Sequence, residues 1–265
     1  MLFLSIVSTH ANAKFLPDIF EDPRQCEHPV TKRICDAVAQ ARMDGTAGKL
    51  GAAKRSLRTA VKLIDKLFDP PRIAPVVNGI IRVQTKLGLL GARFDVLHRG
   101  IERLHYLKRE VSIDGDLNVF YPALNLAKRY AEFGDRSLAL HEITRLEDLL
   151  MGDVAPWEQA TILGLFAMAY VDLGFEYRAT NAFRKSLEIS RTLPLVVGND
   201  TFPRAVAFDS LSYWLAEVGR YDEALEVLRE LEALRDEYEP LDPGGIDKSV
   251  SFYRNWIKEC RAKSD

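Results

Sequence analysis

"ALNLAKRYAEFGDRSLALHEI", residues 123–143, decides how the rest of the chain is read. Ala127, Tyr130, Gly134, Ala139 and Ile143 stand at successive offsets of three, four, five and four. The same offsets recur twice downstream. Ala167, Tyr170, Gly174, Ala179 and Phe183 form one copy, and Ser212, Leu215, Gly219, Ala224 and Leu228 the other. Small residues at facing positions let two antiparallel helices approach closely, and bulky residues fill the space beside that contact. The glycine between them ends the first helix in the left-handed conformation without a Cβ penalty. Each copy therefore predicts a helix, a tight turn and a second helix folded back on the first.

Outward from these copies, helical signals occupy most of the chain. Helices are predicted over 30–44, 48–68, 76–90, 92–108, 122–133, 136–151, 156–173, 176–192, 203–218, 221–238 and 246–262. Within 48–68, Leu57, Ala60, Val61, Ile64 and Leu67 form one apolar stripe with Lys and Arg opposite. The prolines of "DPPRIAP" end that helix. No segment alternates convincingly as a strand, and "LPLVV" reads as a loop between helices. Taking Gly51, Gly91, Gly134, Gly174 and Gly219 as the turn glycines, with Gly48 and Gly88 as alternatives for the first two, the spacings are 40, 43, 40 and 45. Amphipathic pairs repeated at this length cannot bury their stripes alone and must stack on one another.

"MAYVDLGFEYRATNAF" and "SYWLAEVGRYDEALEVL", the latter with Gly219, Tyr221 and Ala224 as a Gly-x-Tyr-x-x-Ala turn, resemble the tetratricopeptide repeat (TPR) family. The resemblance covers residues 115–235 and extends more faintly to 37–108 through "GKLGAAKRSL" and "KLGLLGARFDVL". It implies an all-α, right-handed superhelical solenoid over residues 30–265, of about five helix pairs plus a C-terminal capping helix. The period here exceeds the family's usual ~34 residues. The excess falls between pairs, in "EDLLMGDVAPWEQ" and "RTLPLVVGNDTFPR".

In the resembled family the first helices of successive pairs line a concave groove that receives a peptide. Helix-face arithmetic turns Tyr121, Leu124, Asn125 and Lys128 toward that groove. In the next pair the corresponding residues are Thr161, Gly164, Leu165 and Met168, and in the last they are Val206, Asp209, Ser210 and Tyr213. The family's clamp for a terminal carboxylate uses Lys and Asn from successive first helices. Only Asn125 and Lys128 have that chemistry, so no such clamp is expected. Phe252, Tyr253, Trp256 and Ile257 share one face of the last helix, as a cap for the array or as a docking face.

Composition limits the remaining function classes. The chain has 265 residues, 36 Lys+Arg against 38 Asp+Glu and a net charge of -2, which argues against a basic nucleic-acid surface. No apolar run approaches the ~20 residues of a membrane span. Residues 1–13 are a candidate signal peptide: Leu2–Val7 is apolar and Ala11-Asn12-Ala13 fits a small-residue cleavage site. Residues 14–29 are read as an extended segment. This predicts a periplasmic or secreted protein of bacterial style, with a cytoplasmic location as the alternative. Cys26 and Cys35 are a candidate disulfide in an oxidising compartment, and Cys260 is left over. Cys26, His28 and Cys35 match no familiar zinc spacing.

His98, Glu102 and His105 share a helix face, but no H-E-x-x-H motif or further ligand accompanies them. There is no P-loop, nucleophile elbow or dinucleotide-binding glycine pattern. The expectation is therefore a non-enzymatic scaffold without metal or cofactor, whose partner is a protein or peptide rather than nucleic acid. A cytosolic regulator that senses a peptide or small molecule is the alternative.

Overall fold

The computed structural model describes residues 26–110, 117–150, 154–197 and 202–264, so the segment 1–13 and most of 14–29 lie outside the described residues. The described chain is all-helical, with twelve α-helices and one short 3-10 turn. It divides into two compact units, Met1–Phe133 and Gly134–Asp265. Among the described residues there is no extended strand, and "LPLVV" is a loop apart from a single bridge position at Val197. No described helix is long and apolar enough to cross a membrane.

The first unit contains α1 (Pro29–Thr46), α2 (Leu50–Leu63), the 3-10 turn Ile64–Lys66, α3 (Pro70–Lys86), α4 (Ala92–Glu110) and α5 (Leu117–Glu132). Helix α1 packs on α2 and α3, and α4 packs on α3 and α5. Helix α2 shows why: Ala53, Leu57, Ala60 and Leu63 are buried at spacings of three and four, and its Lys and Arg residues are exposed. Cys26, just before α1, is joined to Cys35 within it, with Cα atoms 6.2 Å apart.

Helix α3 begins six residues earlier than 76. Pro70 and Pro71 occupy its first turn, where the missing N–H has no intrahelical partner anyway. Pro75 and Pro122 lie inside α3 and α5. Each falls early in its helix and removes one backbone bond. The buried stripes around them, Ile73, Val76, Val77 and Ile80 in α3 and Val119, Phe120, Ala123 and Leu126 in α5, hold the helices together regardless.

The second unit contains α6 (Arg136–Leu150), α7 (Pro156–Asp172), α8 (Glu176–Thr192), α9 (Pro203–Glu217), α10 (Tyr221–Ala233), α11 (Arg235–Tyr238) and α12 (Gly245–Ser264). Helices α7 and α8 pair, as do α9 and α10. The two pairs meet through α9 against α7 and α8, and α12 lies on α9 and α10. The final predicted helix of the last pair, 221–238, is interrupted at Leu234, which separates α10 from α11.

Five left-handed glycines, Gly48, Gly88, Gly134, Gly174 and Gly219, have φ between 70° and 95°, and a sixth, Gly244 at 68°, precedes α12. Gly51 instead lies within α2, and Gly91 precedes α4. Spacings along the observed set are 40, 46, 40 and 45. Four of these turns share one bonding pattern. The N–H after the glycine donates to a carbonyl five residues back: Lys49 to Asp44, Leu89 to Gln84, Phe175 to Tyr170 and Arg220 to Leu215, at 2.8–2.9 Å. The small positions in register with the glycines, Ala127, Ala139, Ala167, Ala179, Ser212 and Ala224, are all 0% exposed.

Polar side chains tie several helices to an element about a repeat away. In the first unit Arg99 donates to Asp65 at 2.7 Å and Arg103 to the Leu67 carbonyl at 2.6 Å. In the second, Arg191 grips Glu230 through two bonds of 2.6 and 2.8 Å, Arg220 donates to Thr180 at 3.0 Å, and Arg261 to Asp222 at 2.6 Å.

Candidate functional site

The expected groove residues are largely covered. Leu124, Thr161, Leu165, Ser210 and Tyr213 are buried, and Tyr121, Asn125, Lys128, Met168 and Asp209 are half-buried. In the second unit the cause is the direct packing of α9 on α7. A Cβ at Gly164 would lie 2.3 Å from Cδ1 of Trp214, so the indole rests on the α7 backbone itself. Thr161 turns inward and donates to the Trp157 carbonyl at 3.2 Å.

The face of α9 that carries Asp209, Ser210 and Tyr213 is covered by α12. The Ser249 hydroxyl donates to the Asp209 carboxyl at 2.6 Å, and Tyr213 stacks on Trp256 with centroids 5.9 Å apart. Burial pushes the Asp209 carboxyl up to about 7, against the bond from Ser249, which favours the charged form. In the first unit Tyr121 is bonded to Asn125, and burial raises the Tyr121 hydroxyl above its ordinary value. Leu124, Thr161, Leu165, Ser210 and Tyr213 are thus enclosed by the helix packing. Sequence reasoning placed them on the correct helices but did not anticipate how closely the neighbouring helices approach.

An open cavity of about 1070 Å³ lies instead in the first unit, between α2 and α4, with the end of α3 at its base. Its apolar wall is Leu57, Val61, Leu89 and Val96. Five Lys or Arg line it (Lys54, Arg58, Lys62, Arg99 and Arg103) against three carboxylates (Asp65, Asp95 and Glu102). Asp65 is committed to Arg99. Lys54, Arg58 and Lys62 recur every fourth residue, so they form a ladder along one side of α2. The start of α4, at Ala92, opens onto the same space and adds the positive end of a helix dipole.

Two side chains at the base distinguish this cavity from a solvated basic face. Arg103 is only 9% exposed. Its Nε is bonded to the Leu67 carbonyl, its guanidinium lies 4.6 Å from the Phe68 ring centre and 4.8 Å from that of Tyr106, and its Nη2 has no hydrogen-bond partner. Burial lowers its pKa, while Tyr106 and Asp65 act in the opposite direction. Gln84 is 3% exposed and its Oε1 also lacks a partner. Buried polar atoms are paired almost everywhere in proteins, and here one unmatched donor and one unmatched acceptor belong to side chains that line the same cavity.

The signal for both residues was present in the sequence. Gln84 continues the stripe Val77, Ile80 and Ile81, and Arg103 continues Val96 and Gly100 at helical spacing. A polar residue in a core register is a departure that has to be explained.

The histidine face borders this cavity but does not form a metal centre. His98 is exposed, His105 is 2% exposed, and His105 Nδ1 lies 3.9 Å from Glu102. No three His, Cys, Asp or Glu side chains converge to hold a metal among the described residues. Cys26 and Cys35 are bonded to each other, so neither is available as a thiolate ligand beside His28. In the second unit a smaller cavity of about 530 Å³ adjoins Tyr170, Arg178 and Lys185. There the Tyr170 hydroxyl donates to Glu147 at 2.6 Å, which raises it together with burial, and Arg178 lies over the ring.

No protein-family model matches the sequence, and no curated protein matches it.

Proposed function

We propose that the chain is a protein-interaction module of TPR-like helix pairs, a scaffold that binds a peptide or protein partner and has no catalytic role. The carrying observation is the repeated pairing itself: left-handed glycines at 40, 46, 40 and 45 residues, with fully buried small residues in register. Side-chain bonds that reach about one repeat ahead, such as Arg191 to Glu230 and Arg261 to Asp222, fit stacking between successive pairs. The partner surface in this reading is the cavity between α2 and α4, because the first-helix residues of the second unit are covered.

Capture from native extract with the full chain as bait tests the module. A partner held by the unaltered chain and lost from an Arg58→Glu/Lys62→Glu variant supports it. A partner held equally by both removes the cavity as its site, and recovery of none opposes the scaffold reading.

An oxidising location, such as the bacterial periplasm, belongs to the same proposal. The Cys26–Cys35 bond favours it, since cytosolic thiols are kept reduced. N-terminal sequencing of the native protein decides: a mature start at Lys14 supports export, and an intact Met1 overturns it.

A further inference from the structure

The cavity between α2 and α4 is matched to a particular class of partner, and this inference rests on the interaction reading above. We infer that it takes an extended acidic peptide segment in which apolar residues alternate with Asp or Glu. A carboxylate of that segment pairs with Arg103 and a peptide N–H with the Gln84 amide oxygen, each side chain turning outward from its closed position to meet it.

The two buried atoms set the chemistry. Arg103 offers a donor with a positive charge and Gln84 offers an acceptor, and both side chains are more than nine-tenths buried. A simple anion would satisfy Arg103 and leave the Gln84 oxygen unmatched. A peptide carries both complements, a carboxylate and a backbone N–H.

The walls set the form. Lys54, Arg58 and Lys62 rise along α2 in steps of ~6 Å. Alternate side chains of an extended strand are ~6.6 Å apart, so acidic residues at every second position keep step with this ladder. The intervening side chains then face Leu57, Val61 and Leu89. Among the described residues no carboxylate is bonded to Lys54, Arg58 or Lys62. Asp95 and Glu102 on the α4 side work against a uniform polyanion such as nucleic acid, whose phosphates would meet them at close range.

The test uses the full oxidised chain and arrays of short, end-capped peptides. One array alternates Asp or Glu with apolar residues, a second replaces the acids with Asn or Gln, and a third with Lys. Binding is followed by fluorescence anisotropy at two salt concentrations. The expected result is binding confined to the acidic array and weakened by salt. A Lys54→Glu/Arg58→Glu variant, altered only at exposed positions, should bind at least about tenfold less tightly. Gln84→Leu should weaken binding without changing its salt dependence, since it removes a neutral contact.

Equal binding of the acidic and amide arrays, or undiminished binding by the charge-reversed variant, overturns the inference. So does equally tight binding of free succinate, which would make the site one for small acids. A partner captured from extract and lost on charge reversal, combined with no preference for the acidic array, would leave the scaffold standing and remove only the acidic peptide.

Discussion

Asp209 supplies the sharpest test of how the last helix is held. Its carboxyl is caught between α9 and α12, receives the Ser249 hydroxyl at 2.6 Å, and acts electrostatically on the Tyr253 and Tyr238 hydroxyls. Burial raises it from 3.8 to about 7. The folded state therefore holds its proton over a pH range in which the unfolded chain has released it. Stability from this group is complete below pH ~4, declines as pH rises through ~7, and is level above that.

Each pH unit between the two values corresponds to about 1.4 kcal/mol, which sets an upper bound of roughly 4 kcal/mol. Asp209 is half-buried rather than sealed, and solvent screening brings the expected loss to about 1–2 kcal/mol. Asp209→Asn keeps the shape and removes the titration. The variant should match the parent below pH ~4 and exceed it by about 1–2 kcal/mol at pH 8. Urea unfolding followed by tryptophan fluorescence is the suitable assay, because Trp157, Trp214 and Trp256 all lie in the second unit. Parallel pH profiles for parent and variant would refute the assignment of a buried, proton-retaining carboxyl at this interface.

Other substitutions probe the helix contacts. Gly164→Ala forces Trp214 off the α7 backbone and should cost about 1–3 kcal/mol in the same urea assay. Gly219→Ala puts a side chain at φ 82° and should cost about 1 kcal/mol, with no clash, since no atom lies within 4 Å of the added carbon. Glu230→Gln weakens the exposed Arg191 pair and should cost less than about 1 kcal/mol, an effect that salt diminishes. Reduction of Cys26–Cys35 should lower the stability of the first unit by about 2–3 kcal/mol, read by amide exchange across α1, with the tryptophan signal unchanged.

The helix pairs were legible because their signals are local. Ala127, Ala167 and Ser212 keep the same distance from their glycines, and a left-handed turn is written in the few residues around it. The choice of Gly48 over Gly51, or of Gly88 over Gly91, was less so, since each pair of glycines lies within one turn of the chain. The prolines misled in one direction only: Pro75 and Pro122 sit in helices whose packed stripes outweigh a lost bond. The exposed faces of the second unit were the least legible. Which face of α9 remains open depends on where α12 comes to rest, and Phe252, Tyr253, Trp256 and Ile257 do not encode that position. In the structure Tyr253 and Ile257 point inward while Phe252 is 44% exposed. Arg103 and Gln84 could have been singled out as polar residues in apolar registers, but their shared cavity arises only when α3 and α4 meet.

The bridge from Cys26 into α1 also determines what a protease can release. A cut anywhere between Glu27 and Ile34 would leave both fragments covalently joined, and they would migrate as one species until a reductant is added. Everything upstream of Cys26 thus remains leashed to the body of the protein through a single sulfur link, whatever happens to the short span of backbone beside it.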